Sequence, residues 1–412
     1  MESVADRSTL MDITGMDSSA PGISALHPLA YHQAVVDYLQ QHESEVWAWA
    51  SSQQVRAGHV EELRANLLRD TYRLEAAAHP QVHEALAHAM QALGISAPAT
   101  LYQSGSQQMN ACLMFVPGEI HVILQGPILE RLSADELLAL FGHELSHYLL
   151  WSSNQGAFHI ADRILNDALS STSSTASQHE TARRYYLHTE LYADRGGAMV
   201  AGAVGPAIST LVKVETGITQ ADAAAYLRQA AEVDAKEAGA TAATTHPENF
   251  IRARALELWW QQAEGLDNWL QGKLQGPLAL DKLDLLGQKK LMQLTRGFCT
   301  HFLAEQDLRT DAVINQVRAL FPDWTAEEAP VALSEFDATH VDESVLGYLN
   351  AMMLDLALVD PDIRDAALLH CARTARALGS LEALQANLRR DARLGKRELD
   401  RLNKQLAKAV QA

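Results

Sequence analysis

The chain has 412 residues, 48% of them hydrophobic, which is enough for two or three globular domains with sizeable cores. Its formal net charge of −18 argues against nucleic acid or an anionic membrane surface as the main partner, because both attract basic patches, although solubility alone also explains this charge. The acidic N-terminus lacks an export signal, and no segment reaches the roughly 18 apolar residues of a transmembrane helix. The three cysteines, Cys112, Cys299 and Cys371, are widely separated and predict reduced thiols in a cytoplasmic protein.

The first quarter of the chain is predicted to be a tail followed by helices. Residues 1–25 are rich in Ser, Asp and Gly and predict a flexible tail. Over residues 26–95, apolar side chains recur at helical spacing, for example at Val35 and Leu39 and again at Leu63 and Leu67. We expect N-terminal helices that pack on the core of the protein.

The pattern changes between Pro98 and Leu124, where apolar residues alternate on both sides of Pro117-Gly118. Alternation around a turn signal predicts a β-hairpin. This is the only clear strand content, so the predicted fold class is mainly α with a small β-sheet, an α+β arrangement.

The next segment predicts a long helix. Ser133 and Glu136 have the spacing of a capping box, which marks a helix start, and apolar residues then repeat at helical spacing as far as Trp151. The helix therefore contains the run from His143 to His147.

The sequence His143-Glu144-Leu145-Ser146-His147 is the most informative motif of the chain. Residues four apart lie on one face of a helix, so the two histidines can bind one metal ion with Glu144 beside them. Imidazole nitrogen and carboxylate oxygen suit zinc. At His83-Glu84, by contrast, the next histidine is five residues on, at His88, and we interpret that stretch as an ordinary helix surface.

A catalytic zinc ion needs a third protein ligand and an open position. In a second helical stretch, Glu190 and Asp194 are again four residues apart. We expect Glu190 to bind the metal and Asp194 to orient a ligand histidine, although a solvated acidic helix face would have the same pattern. His188 points elsewhere, being two residues from Glu190. The preceding loop, 170–177, is either a lid over the cleft or a plain surface loop.

An alanine-rich segment, 223–243, leads into Thr245-His246-Pro247, and Arg252 follows six residues after the histidine. Residues 264–277 have the mixed polarity of a boundary, after which helical periodicity continues to the end. Two segments, 345–358 and 363–378, flank Asp360-Pro361-Asp362 and faintly resemble tellurite-resistance TerB-like helical domains. The acidic turn could bind a cation, but a capped helix start explains it equally.

Four blocks, taken in order, resemble the catalytic core of the HtpX and CAAX-prenyl endopeptidase family of gluzincin metallopeptidases, the forty-eighth metallopeptidase family. They are the strand-like run 108–112, the helix with His143 and His147, the Glu190 to Asp194 motif, and His246-Pro247 with Arg252. The family often has a second proline after the His-Pro pair, whereas this chain has Glu248. The best-known members are embedded in membranes, and this chain differs from them in that respect.

The resemblance implies roles for further residues. It implies that Asn110 and His246 hold the developing oxyanion and that Arg252 braces the site through Asp194. Without it, His246 would be interpreted as a loop histidine and Asn110 as a strand-end residue that bonds its own backbone. It also implies one zinc ion per chain and a catalytic domain over 96–263. The helical periodicity beyond the boundary separately predicts a C-terminal helical domain over 278–412.

Two functions remain open from the sequence. One is a zinc endopeptidase that acts on extended or unfolded polypeptide, with Glu144 as general base for a zinc-activated water. The other is a non-catalytic protein that binds metal or peptide and uses the C-terminal helices as a surface for a protein partner. The filled position at Glu144 favours the enzyme, because a scaffold has no need of a base beside two metal ligands.

Overall fold

The computed structural model describes residues 26–52, 57–237 and 239–408, so the predicted tail of residues 1–25 lies outside the described part of the chain. The described residues form helices around one small four-stranded sheet, which confirms the predicted α+β class. None of the described helices is long and apolar enough to cross a membrane.

Helices dominate the N-terminal region, as predicted. They are α1 (Ala30–His42), α2 (Ser44–Ser52), α3 (Ala57–Asp70) and α4 (Pro80–Ala92). Val35, Val36 and Leu39 of α1 are buried in one core with helices of the domain predicted over 96–263.

The sheet contains β1 (Tyr72–Arg73), β2 (Ala99–Ser104), β3 (Asn110–Val116) and β4 (Glu119–Gln125), in the order β1-β2-β4-β3. β3 and β4 form the predicted hairpin around Pro117-Gly118, with Asn110 opposite Gln125. β2 lies parallel to β4 on its other side, and β1 pairs with β2. In the described residues, β3 pairs with β4 alone and is therefore an edge strand.

A short helix, α5 (Ile128–Arg131), leads from the sheet to α6 (Ala134–Ser152), the helix predicted to carry the metal ligands. α6 begins with the predicted capping box: the backbone N–H of Ser133 donates to Glu136, and the backbone N–H of Glu136 donates to the Ser133 hydroxyl. Ten of its 19 residues are buried, which places α6 in the interior of the domain predicted over 96–263.

The remaining helices of this region are α7 (Ala157–Ser170), α8 (Ala176–Ala201), α9 (Val204–Thr216), α10 (Ala223–Lys236) and α11 (Asn249–Trp260). α8 packs lengthwise against α6 with glycines at the contact. A Cβ on Gly196 would overlap the Ser146 side chain, and one on Gly142 would lie 2.7 Å from the Gly196 carbonyl oxygen. The backbones of α6 and α8 therefore approach so closely that only glycine fits at these two positions. The connection between α7 and α8, 171–175, is short, and its role as a lid stays a prediction.

The C-terminal helices are α12 (Leu266–Leu274), α13 (Leu285–Phe302), α14 (Asp311–Leu320), α15 (Glu343–Leu358), α16 (Arg364–Ala377), α17 (Leu381–Arg390) and α18 (Lys396–Lys408). From Leu294 onward they share a hydrophobic core of their own. At the turn between α15 and α16, the Asp362 N–H donates to the Asp360 carboxylate at 3.0 Å. α16 itself begins at Arg364 without a side-chain cap at Ile363, so the expected capped helix start at Pro361 and Asp362 is not found.

α13 belongs to two cores. Leu285, at its start, packs in the core of α1, α7 and α8, whereas Phe298 and Phe302 pack in the C-terminal core. Its N-cap residue, Asp284, is almost fully buried, accepts a hydrogen bond from the Tyr31 hydroxyl and lies 3.2 Å from the Arg184 guanidinium. The start of α13 is thereby fixed to both α1 and α8.

Candidate active site

Helices α6 and α8 bring His143, His147 and Glu190 together. One ligand atom of each lies within 4.8 Å of the others. The Nε2 atoms of the two histidines are 3.3 Å apart, and each lies 3.6 to 3.8 Å from a Glu190 carboxylate oxygen. Two imidazoles and one carboxylate are a three-ligand set typical of catalytic zinc. The residues present therefore fit the metal that the motif predicts.

Asp194 and Arg252 support this cluster from behind. The Nδ1 atom of His143 lies 3.1 Å from Asp194, which orients the ring so that Nε2 faces Glu190. Arg252 donates to both Asp194 oxygens, at 2.8 and 2.6 Å, and its Nη2 atom is 3.2 Å from Glu190. Burial alone would raise the pKa of Asp194, but the charges and hydrogen bonds of Arg252 and His143 together outweigh burial and hold that pKa well below its usual range. Asp194 is thus a fixed anion.

Glu144 is buried beside the ligands with 6% of its surface exposed. Burial raises its pKa to about 7, while the neighbouring His143 lowers the pKa and Glu190 raises it. The backbone N–H of Leu113 on β3 also donates to the carboxylate. A carboxyl group with a pKa near neutrality suits a general base.

His147 is held differently from His143. Its Nδ1 atom is buried and has no hydrogen-bond partner in the described part of the chain. Instead, its ring stacks on Trp151, with 5.5 Å between the ring centroids and 29° between the planes. Burial lowers the pKa of His147 to about 4, so its imidazole is neutral at pH 7. Aromatic packing therefore orients the second histidine.

The two residues assigned by resemblance to the oxyanion lie at the rim of the site. Asn110 is the first residue of β3 and is exposed. The His246 side chain is 62% exposed, and its Nε2 atom lies 3.5 Å from Glu190. Glu248 precedes α11 and accepts a hydrogen bond from the Thr241 hydroxyl at 2.5 Å. His188 faces away from the cluster, as predicted, and stacks on Tyr31 at 4.4 Å.

All eight predicted site residues line one cavity of 610 Å³: Asn110, His143, Glu144, His147, Glu190, Asp194, His246 and Arg252. The same cavity continues along α7, where Asp162 and Asn166 line it together with Tyr186 of α8 and Trp151. Sequence reasoning missed these four. The spacing of Tyr186, four residues before Glu190, was a usable signal, but nothing in the sequence of α7 indicated which of its faces meets the cleft.

No curated protein and no solved structure matches the chain at a significant level. Residues 76–260 match the sequence model of peptidase family M48. The matched stretch begins just before α4, ends at the last residue of α11, and includes every residue of the cluster described above. Over residues 76–260, the chain therefore carries a domain that matches the metallopeptidases of family M48.

Proposed function

We propose that the chain is a zinc-dependent endopeptidase that hydrolyses peptide bonds in extended or unfolded polypeptide segments. The observation that carries the proposal is the convergence of His143, His147 and Glu190 in an open cleft with the buried Glu144 beside them. His143, His147 and Glu190 would hold the metal. Asp194 and Arg252 would keep the ligands in place.

When bound, zinc supplies Lewis-acid activation of water and of a carbonyl group. Glu144 would accept a proton from the attacking water and return it to the amine leaving group. Its position next to His143 and its raised pKa both suit that role. Asn110 and His246 would donate hydrogen bonds to the carbonyl oxygen as negative charge develops, a contribution of about 3 kcal/mol for each donor.

The edge strand β3 favours an extended substrate. In the described residues its outer side pairs with no other strand, and the Asn110 end of the strand lies at the cleft. A peptide can add to such an edge through main-chain hydrogen bonds, which hold it largely regardless of its sequence. A segment must be unfolded to bind in this way, so flexible polypeptide is the expected substrate class.

The test compares wild type with Glu144→Gln on a quenched peptide and on a denatured protein, after equal zinc content has been measured in both proteins. We expect a loss of turnover of at least about 100-fold in Glu144→Gln, because the proton acceptor is removed while the metal ligands remain. Glu84→Gln is the matched control, since Glu84 is exposed on α4 and also follows a histidine.

Equal turnover by wild type and Glu144→Gln would refute the role of Glu144. A zinc-loaded wild type that cleaves neither substrate would refute the endopeptidase proposal. It would favour the non-catalytic alternative, in which the domain binds metal or peptide and the C-terminal helices bind a protein partner.

A further inference from the structure

The active-site cavity has a second part, between α7 and α8, that the proposed chemistry does not use. Asp162 and Asn166 lie four residues apart on α7, and Tyr186 lies four residues before Glu190 on α8. Residues with this spacing have Cβ atoms about 5–6 Å apart, so Tyr186 is one helical turn from the metal-ligand cluster. We call this part the α7–α8 pocket; its lining is Trp151, Asp162, Asn166, Leu169 and Tyr186.

The α7–α8 pocket contains polar groups that lack partners. Asp162 is 8% exposed and receives one hydrogen bond, from the Asn166 amide at 3.1 Å. No lysine, arginine or histidine of the described residues forms an ion pair with it. The Tyr186 hydroxyl and the Trp151 indole N–H are also buried without a hydrogen-bond partner in the described part of the chain. Buried polar groups normally have partners, so three incomplete groups in one pocket indicate a ligand that completes them.

The chemistry of the lining selects the ligand. Trp151 and Leu169 offer an apolar surface for an aliphatic stem, and the aromatic ring of Tyr186 attracts a cation. The Asp162 carboxylate would accept charge-assisted hydrogen bonds from an ammonium or guanidinium group. An acidic side chain would be repelled, and the net charge of −18 also favours basic segments over acidic ones.

We propose that the α7–α8 pocket binds a lysine or arginine side chain of the polypeptide substrate and that Asp162 selects it. The pocket lies within one helical turn of Glu190, so the selected residue is close to the scissile bond. This inference rests on the proposed function, because it takes the cleft to be a peptide-binding site.

A binding experiment tests the pocket without cleavage. The full chain carrying Glu144→Gln is titrated into labelled, blocked peptides of alanine, serine and glycine that contain one central lysine, norleucine or glutamate. A peptide of this kind can shift its register, so the lysine can reach the pocket wherever the scissile bond lies. The measurement is made at about pH 8, where Asp162 is ionised, because burial raises its pKa to about 7.

We expect the lysine peptide to bind roughly tenfold more tightly than the norleucine peptide, and the glutamate peptide to bind most weakly. Adding Asp162→Asn should abolish the lysine preference, and a circular dichroism spectrum equal to that of Glu144→Gln alone shows that the chain is still folded. Asp167→Asn, an exposed position on the same helix, should keep the preference. Equal affinity for lysine and norleucine peptides, or a preference that survives Asp162→Asn, would overturn the proposal.

Cleavage by wild type separates this inference from the proposed function. Peptides from denatured proteins are digested, and the cut sites are mapped by mass spectrometry. Lysine and arginine enriched at one position relative to the cut, with the enrichment lost in Asp162→Asn, would support the pocket. Cleavage without that enrichment would overturn the pocket alone. A lysine preference in binding without any cleavage would overturn the endopeptidase proposal and leave the pocket supported.

Discussion

The glycine contact between α6 and α8 predicts that Gly196→Ala destabilises the catalytic region. The added Cβ would overlap the Ser146 Oγ atom and lie 2.8 Å from the Ser146 Cβ atom. Ser146 is fully buried and its hydroxyl donates to the Gly142 carbonyl at 2.6 Å, so it has no alternative space. The two helices must therefore separate, and with them the elements that hold His147 and Glu190.

Two opposing effects set the size of the change. Overpacking a close-packed contact costs about 1–3 kcal/mol, and we take about 2 kcal/mol for an overlap with a single side chain. Replacing glycine by alanine inside a helix contributes about 1 kcal/mol in the stabilising direction. Gly272→Ala in α12 isolates the second effect, because a Cβ there meets nothing within 4 Å. Its free energy of unfolding should rise by about 1 kcal/mol.

The assay is urea denaturation followed by circular dichroism, with the free energy of unfolding compared between variants. Gly196→Ala should be less stable than wild type, whereas Gly272→Ala should be more stable. Exchanging the side chains across the contact, in the double variant Ser146→Gly/Gly196→Ala, should recover about 2 kcal/mol relative to the sum of the single changes. A Gly196→Ala protein as stable as Gly272→Ala would refute the close-packing argument.

Three further predictions concern the site. In Arg252→Lys, the ammonium group cannot contact both oxygens of Asp194 as the guanidinium does. The affinity for zinc, measured in competition with a chromogenic chelator, should therefore fall about 10–100-fold. Unchanged affinity would show that this contact is dispensable. Trp151→Leu removes the ring that stacks on His147 and should also weaken zinc binding, while leaving the circular dichroism spectrum unchanged. Because burial raises the folded-state pKa of Asp162 to about 7, the folded chain keeps a proton that the unfolded chain releases, and stability falls as the pH rises from about 4 to about 7. We compare the free energy of unfolding of Asp162→Asn with that of wild type at each pH. The difference, variant minus wild type, should be about 3 kcal/mol larger at about pH 8 than at about pH 5. Parallel pH profiles for the two proteins would contradict this.

Local features of the chain could be predicted from sequence because short-range geometry determines them. The capping box at Ser133, the hairpin around Pro117-Gly118 and the shared helix face of His143 and His147 each depend on residues within a few positions of one another. The Glu190 motif could be placed only by its resemblance to a known family, since a pair of acids four residues apart also occurs on solvated helices.

Features that depend on long-range packing could not be predicted. Nothing within β2 indicates that it lies parallel to β4 and so leaves β3 at the edge of the sheet. Asp162 is likewise one polar residue of an amphipathic helix until α7 packs on α8 and buries its carboxyl group. The candidate metal ligands could therefore be proposed from the sequence, whereas the walls of the cleft required the fold.

Because α13 packs in two hydrophobic cores, it connects the C-terminal helices to α1 and α8. A helix transmits bending and rotation along its axis, and this one is fastened at its start to Arg184, less than two turns before Glu190 on α8. A displacement of Asp284 would therefore move the charge that pairs with Arg184 on the helix that carries Glu190. For the same reason, a protein truncated before Asp284 would lose Leu285 from the core around α8, and Arg184 would lose its buried counter-ion Asp284.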